Sequence, residues 1–140
     1  MPIYEGTWKG TWDNKNIYIT LKKIKYYHSQ YYSDILIGKF KVLDTNGSIL
    51  FDNTNLNDNN TKIKGMTFFN KNGEKYRLDF LDNDICGLNG FIEINFTDST
   101  KTKLAWKFNE GSNLITKDCP YYNSAVFPQP LPVSIILTKQ

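Results

Sequence analysis

Apolar and polar residues alternate with a period of two through most of this chain, and no other feature constrains its fold more. From Tyr4 to Trp12, the residues Tyr4, Gly6, Trp8, Gly10 and Trp12 share one face, with Thr7, Lys9 and Thr11 opposite. After the turn Asp13-Asn14-Lys15-Asn16 the pattern resumes, with Ile17, Ile19 and Leu21 against Tyr18, Thr20 and Lys22. Leu36, Gly38, Phe40 and Val42 repeat it against Lys39 and Lys41. A two-residue period is that of a strand with one face buried, and no stretch carries the 3.6-residue period of a helix. Composition agrees: alanine occurs only at 105 and 125, while Tyr and Phe supply nine residues each. The chain therefore reads as all-β.

Turn chemistry divides the alternation into about nine strands. Thr45-Asn46-Gly47 carries the Asn-Gly signal of a tight hairpin. Thr61 to Phe69 and Lys75 to Leu81 flank Lys71-Asn72-Gly73, and Gly90 to Thr97 and Thr102 to Asn109 flank residues 98–101. Tyr26 to Tyr32 reads as an aromatic loop, and residues 52–60 read as a solvated Asn/Asp loop. The connection 111–132 holds Phe127-Pro128-Gln129-Pro130-Leu131-Pro132, whose prolines impose extended geometry and exclude a central strand. The expected role for it is a stiff strap across the barrel, anchored by Phe127 and Leu131. Consecutive hairpins favour a meander, and eight or more strands best remove their edges by closing. The expectation is one domain over residues 1–140, a closed antiparallel barrel of eight or nine strands whose terminal strands pair. A β-sandwich is the alternative. Gly6, Gly10, Gly38 and Gly65 supply the bends that a small barrel needs.

Several function classes are disfavoured. The net charge is +3, and Arg77 is the only arginine among 17 basic residues, so the arginine forks and basic stripe of a nucleic-acid site are missing. No apolar run approaches the ~20 residues of a membrane span. The sequence lacks a Gly-x-Ser-x-Gly elbow, a His-Glu-x-x-His pair and a phosphate-cradling glycine loop. Any nucleophile-histidine arrangement would have to pass through His28, the lone histidine. Asp79 and Glu93 alternate with apolar neighbours and are expected to face solvent. The chain is thus expected to act by binding and not as an enzyme, with no cofactor. Two cysteines and one histidine do not make a zinc site, and the Asn/Asp loop lacks the glycine and terminal glutamate of an EF-hand. Cys86 and Cys119, both in turn contexts, are either two separate thiols or one disulfide that ties the long connection to the barrel. Such a bridge would contribute about 3–4 kcal/mol. The N-terminus shows neither basic n-region nor apolar h-region, which suits a cytosolic chain or a mature exported one.

Two candidate sites remain. Phe40, Phe68, Tyr76, Phe80, Phe96, Trp106 and Phe108 occupy inward positions, where they either fill the barrel or line a cavity for a small lipophilic molecule. Gly65, Thr67 and Asn95 would leave room and a polar handle in such a cavity. Tyr26, Tyr27, Tyr31 and Tyr32, together with Tyr121 and Tyr122, would serve a protein partner instead, because amphipathic rings suit interfaces. The leading expectation is the interior ligand. The alternative is a protein-binding module of inhibitor or immunity type.

Gly6-Thr7-Trp8 in the first strand resembles the Gly-x-Trp signature of lipocalins and related calycin barrels. That resemblance implies a structural role for Gly6 and Trp8, with Lys139 or Arg77 as the basic side chain over the indole. A second resemblance rests on Gly6-Thr7-Trp8-Lys9, Leu21-Lys22-Lys23, the run Thr97 to Lys107 and the run Phe127 to Gln140. These are similar to a domain-of-unknown-function family of Bacteroidota whose members commonly carry a secretion signal. It implies a bacterial, periplasmic or extracellular protein with a Cys86–Cys119 disulfide, and it implies nothing about a ligand.

Overall fold

The computed structural model describes residues 4–28, 30–65, 75–112 and 115–140. Nine strands follow in order: β1 (Gly6–Trp12), β2 (Lys15–His28), β3 (Tyr31–Asp44), β4 (Ile49–Asp52), β5 (Ile63–Gly65), β6 (Tyr76–Asp82), β7 (Leu88–Phe96), β8 (Lys103–Glu110) and β9 (Ser134–Lys139). Single 3-10 turns occupy Asp58–Asn60 and Asn83–Ile85. All pairings are antiparallel, in the order β2-β1-β9-β8-β7-β6-β5-β3-β4, and a β2–β3 pairing closes the ring. The result is an eight-strand barrel with β4 as one additional strand against β3. Closure runs through the terminal strands as expected, with Trp8 opposite Lys139 and Lys9 opposite Thr138.

Local chemistry explains the turns. Asp13 and Asn14 both take positive φ, 48° and 58°, as a two-residue primed hairpin turn requires. At Gly6 the backbone has φ 131°, and an added β-carbon would stand 3.2 Å from Lys139 Cε. Glycine is therefore favoured there by its conformational freedom, and a β-carbon would also require the end of the Lys139 side chain to give way. Gly65 serves packing instead, since a β-carbon at that position would overlap the Tyr76 hydroxyl and the Leu36 carbonyl.

Alternation places the core inside the ring. Ile17, Ile19 and Leu21 of β2, Leu36, Phe40 and Val42 of β3, Leu78 and Phe80 of β6, and Ile92 and Ile94 of β7 are all buried. Burying each such side chain contributes about 1.5–3 kcal/mol before conformational entropy is charged against it. One end of the barrel, where β1 begins, is closed by Tyr4, whose ring stacks on Phe96 with centroids 4.8 Å apart. Tyr4 O also accepts a hydrogen bond from Trp8 Nε1 at 3.0 Å. The proline strap lies at the opposite end, with Pro130, Leu131 and Pro132 buried and Phe127 packed against the core. Trp106 Nε1 donates to Pro132 O at 3.2 Å.

Two loop expectations are corrected. Residues 26–32 are not a loop: β2 runs to His28 and β3 resumes at Tyr31, with Tyr26 opposite Ser33 and Tyr27 opposite Tyr32. Two adjacent aromatic pairs break the period-two pattern, but aromatic residues are good strand formers once a partner strand is in register. Nor is 52–60 a freely solvated loop. Asn53 is buried, accepting from Phe40 N at 2.8 Å and donating its own N–H to Phe40 O at 3.0 Å. Asp58 bridges Lys22 of β2 and Lys39 of β3, each at 2.8 Å, which holds the segment against the outer wall.

Candidate functional site: the barrel interior and the tyrosine arm

Phe40, Tyr76, Phe80, Phe96, Trp106 and Phe108 all belong to the inward-facing layer, Phe96 being only partly buried. Phe68 and Thr67 lie outside the described residues. The rings engage one another: Phe80 meets Phe108 edge-on at 5.6 Å and Phe40 at 6.2 Å, and Tyr76 lies 6.0 Å from Tyr4. Aromatic pairs at these separations contribute about 0.5–1.5 kcal/mol each beyond burial. A cavity lined by Leu88, Phe108 and Leu131 beneath the strap has a volume of about 30 Å³, room for a water and not for a drug-sized ligand.

Two phenols sit in this interior. Tyr76 Oη accepts from Leu36 N at 3.2 Å. The Tyr4 hydroxyl is buried and has no hydrogen-bond partner among the described residues. Burial raises the pKa of both above the usual phenol value, and for Tyr4 the neighbouring Tyr76 adds to the rise. Of the two basic candidates for the first-strand tryptophan, Lys139 stands over Trp8, Nζ 5.6 Å from the ring centroid. Arg77 stacks on Phe91 instead, at 3.7 Å.

Among the described residues, the tyrosines of residues 26–32 form the end of a two-stranded arm. β1 pairs with β2 only as far as Leu21, opposite Gly6. Beyond that point β2 continues for seven residues, Lys22 to His28, in register with β3. At ~3.3 Å per residue this is roughly 20 Å of ribbon. Tyr27 and Tyr32 face each other across it, ring centroids 4.9 Å apart, and are 58% and 69% exposed. Tyr26 is less open and points to the other side, where Lys64 Nζ lies 5.8 Å from its ring. The side chain of Tyr31 lies outside the described residues. Residues 22–34 hold three lysines against the single Asp34, and Lys23 and Lys25 are exposed. Their contribution was hidden in the sequence because lysine alternating with isoleucine also describes an ordinary strand; adjacency to the four tyrosines was the available signal.

Tyr121 and Tyr122 are not part of this arm. Tyr121 packs edge-on against Phe127 at 6.0 Å under the strap, at the other end of the barrel, and Tyr122 is exposed beside it. Cys86 and Cys119 form a disulfide with Cα atoms 5.7 Å apart, which ties the β6–β7 turn to the long connection. Cys119 is buried despite its turn context.

No group of three or more His, Cys, Asp or Glu side chains that could hold a metal occurs among the described residues. Among those residues, no helix is long and apolar enough to cross a membrane. Comparison with curated proteins and with solved structures finds no match to either. A family profile does match, from residue 2 to residue 140. With essentially its whole length covered, the chain belongs to the family described as a family of unknown function, DUF6705.

Proposed function

We propose that this barrel is a non-enzymatic protein-binding module whose contact element is the tyrosine arm, β2 beyond Leu21 with the facing half of β3. The observation that carries the reading is the exposed Tyr27–Tyr32 pair at the end of the β2–β3 ribbon, beyond the last pairing of β2 with β1. Tyrosine provides large amphipathic contact area at low conformational cost, and it is enriched among residues whose truncation costs 2 kcal/mol or more at interfaces. Lys23 and Lys25 flank the pair, so the fitting partner surface is acidic around an apolar recess.

The packing of the described rings on one another, with a water-sized cavity beneath the strap, also supports this reading over a lipophilic cargo. A lipocalin-like relation is supported by Lys139 over Trp8, as the Gly-x-Trp resemblance implies. The disulfide supports an oxidising, periplasmic or extracellular location.

The test is site-specific photocrosslinking in cells of the source organism, with the crosslinker at position 27 or 32 and, as control, at exposed Val126. A single crosslinked protein from the arm positions and none from position 126 is expected. Replacing Tyr27 and Tyr32 with Ala should weaken its binding at least ~30-fold, equivalent to 2 kcal/mol, with the melting temperature unchanged. Absence of an arm-specific crosslink, or binding that survives both replacements, overturns the proposal.

A further inference from the structure

A cleft of about 580 Å³ lies on the outer wall, far larger than the cavity under the strap and within the range of small-molecule sites. Its floor is the outward face of β5 and β6, where Lys64 stands opposite Asp79 in register. The 3-10 turns Asp58–Asn60 and Asn83–Ile85 contribute its two walls. Both walls are pinned. Asp58 is held by Lys22 and Lys39, and Asn59 O accepts from Lys64 Nζ at 3.0 Å. On the other side Lys62 Nζ reaches Asp82 at 2.6 Å and Asp84 at 2.9 Å. Burial lowers the basicity of Lys62, but these two hydrogen-bonded carboxylates outweigh it and leave the ammonium firmly charged.

These ion pairs determine what the cleft can recognise. Lys62 is paired with two aspartates and Lys64 donates to a backbone carbonyl, and with Asp79 and Asp84 also in the lining the two lysines leave no excess positive charge to hold an anion. The side-chain groups left without a hydrogen bond or ion pair among the described residues include the Asn59, Asn60 and Asn83 amides and the Asp79 carboxylate. Leu56 and the half-exposed Leu81 add an aliphatic strip between them. An unpaired carboxylate accepts from two neighbouring hydroxyls, and each side-chain amide both donates and accepts. The aliphatic strip suits the C–H face of a sugar ring. From this combination we infer that the outer-wall cleft between the two 3-10 turns binds a neutral polyhydroxylated ligand, a glycan segment of two or three sugar units. This site is separate from the arm and does not depend on the arm's partner.

The experiment titrates the intact, oxidised protein with maltotriose, cellotriose, xylotriose and chitotriose, following backbone amide signals by NMR. Free arginine serves as a cationic counter-probe for Asp79. Saturable shifts from at least one trisaccharide, confined to residues 56–64 and 79–84, are the expected result. Asp79→Ala and Asn83→Ala, both at exposed positions, should each weaken that binding at least tenfold without moving the remaining spectrum. Three results overturn the inference: no saturable shift from any trisaccharide at millimolar concentration, binding unaffected by both variants, or saturation of the cleft by arginine but by none of the sugars.

Discussion

Removing the Cys86–Cys119 bridge tests how far the long connection is held by the crosslink and how far by its own packing. The bridge closes a loop with a sequence separation of 33 residues. In the loop-entropy model this withholds about 12.5 cal/mol/K from the unfolded ensemble, or about 3.7 kcal/mol at room temperature. At ~2.1 cal/mol/K of unfolding entropy per residue, the 140-residue chain loses about 0.29 kcal/mol per degree near its midpoint, so the expected drop in melting temperature is about 13 °C. The suitable variant is the double replacement Cys86→Ser and Cys119→Ser. Cys86 sits at φ 56°, and serine keeps the β-carbon, leaving the left-handed backbone cost unchanged. The native state should otherwise persist, because Leu131 is buried in the core and Trp106 Nε1 still holds Pro132 O. Thermal unfolding followed by far-UV circular dichroism gives the magnitude, and near-UV dichroism reports whether the strap stays seated beside Trp106. A drop below about 3 °C with an unchanged near-UV spectrum would refute the reasoning, since the unfolded chain would then not have gained the freedom assigned to it.

Two further expectations concern the interior and the docked loop. Tyr4→Phe removes a buried hydroxyl that has no partner among the described residues, so it should raise stability by about 1 kcal/mol, or ~3 °C in melting temperature; a loss of similar size in a thermal melt would show that the hydroxyl is satisfied within the native barrel. Hydrogen bonds from Lys22 and Lys39 hold the Asp58 carboxyl at about 2, below the ordinary 3.8. Because that value is depressed in the fold, its contribution is present above 3.8 and is lost as pH falls through about 2. The Asp58 side-chain carbonyl should accordingly titrate near 2 by carbon NMR, and a midpoint near 3.8 would show that the two lysines do not hold it.

Most of the strand content was legible because alternation is local. Ile17, Ile19 and Leu21 announce a buried face regardless of which strand lies beside them, and Asp13-Asn14 and Asn46-Gly47 announce turns. Closure between the first and last strands was also legible, since a meander of this many strands has two edges to remove. The strap was readable from its prolines, whereas the residues alone left Cys86 and Cys119 open between two thiols and one disulfide, and only the family resemblance implied the bridge. The arm was not. Four tyrosines in two adjacent pairs break the alternation, and only the register of Tyr27 against Tyr32 turns them from a loop into a ribbon. The cleft was less visible still. Its walls depend on Lys22 meeting Asp58 across 36 residues and Lys62 meeting Asp82 across 20, and in the sequence these are single charges on exposed faces, no different from a dozen others.

Alternation and turn residues are properties of a few consecutive positions, each set by whether a side chain faces solvent or the core. They were therefore sufficient for the all-β class and for most of the strands. Which rings stay exposed, which aspartates are captured and where a recess opens are settled by the order of strands around the barrel and by their register. A lysine on one strand finds its carboxylate only when the ring closes and brings distant segments within the 2.6–2.9 Å of a charged hydrogen bond.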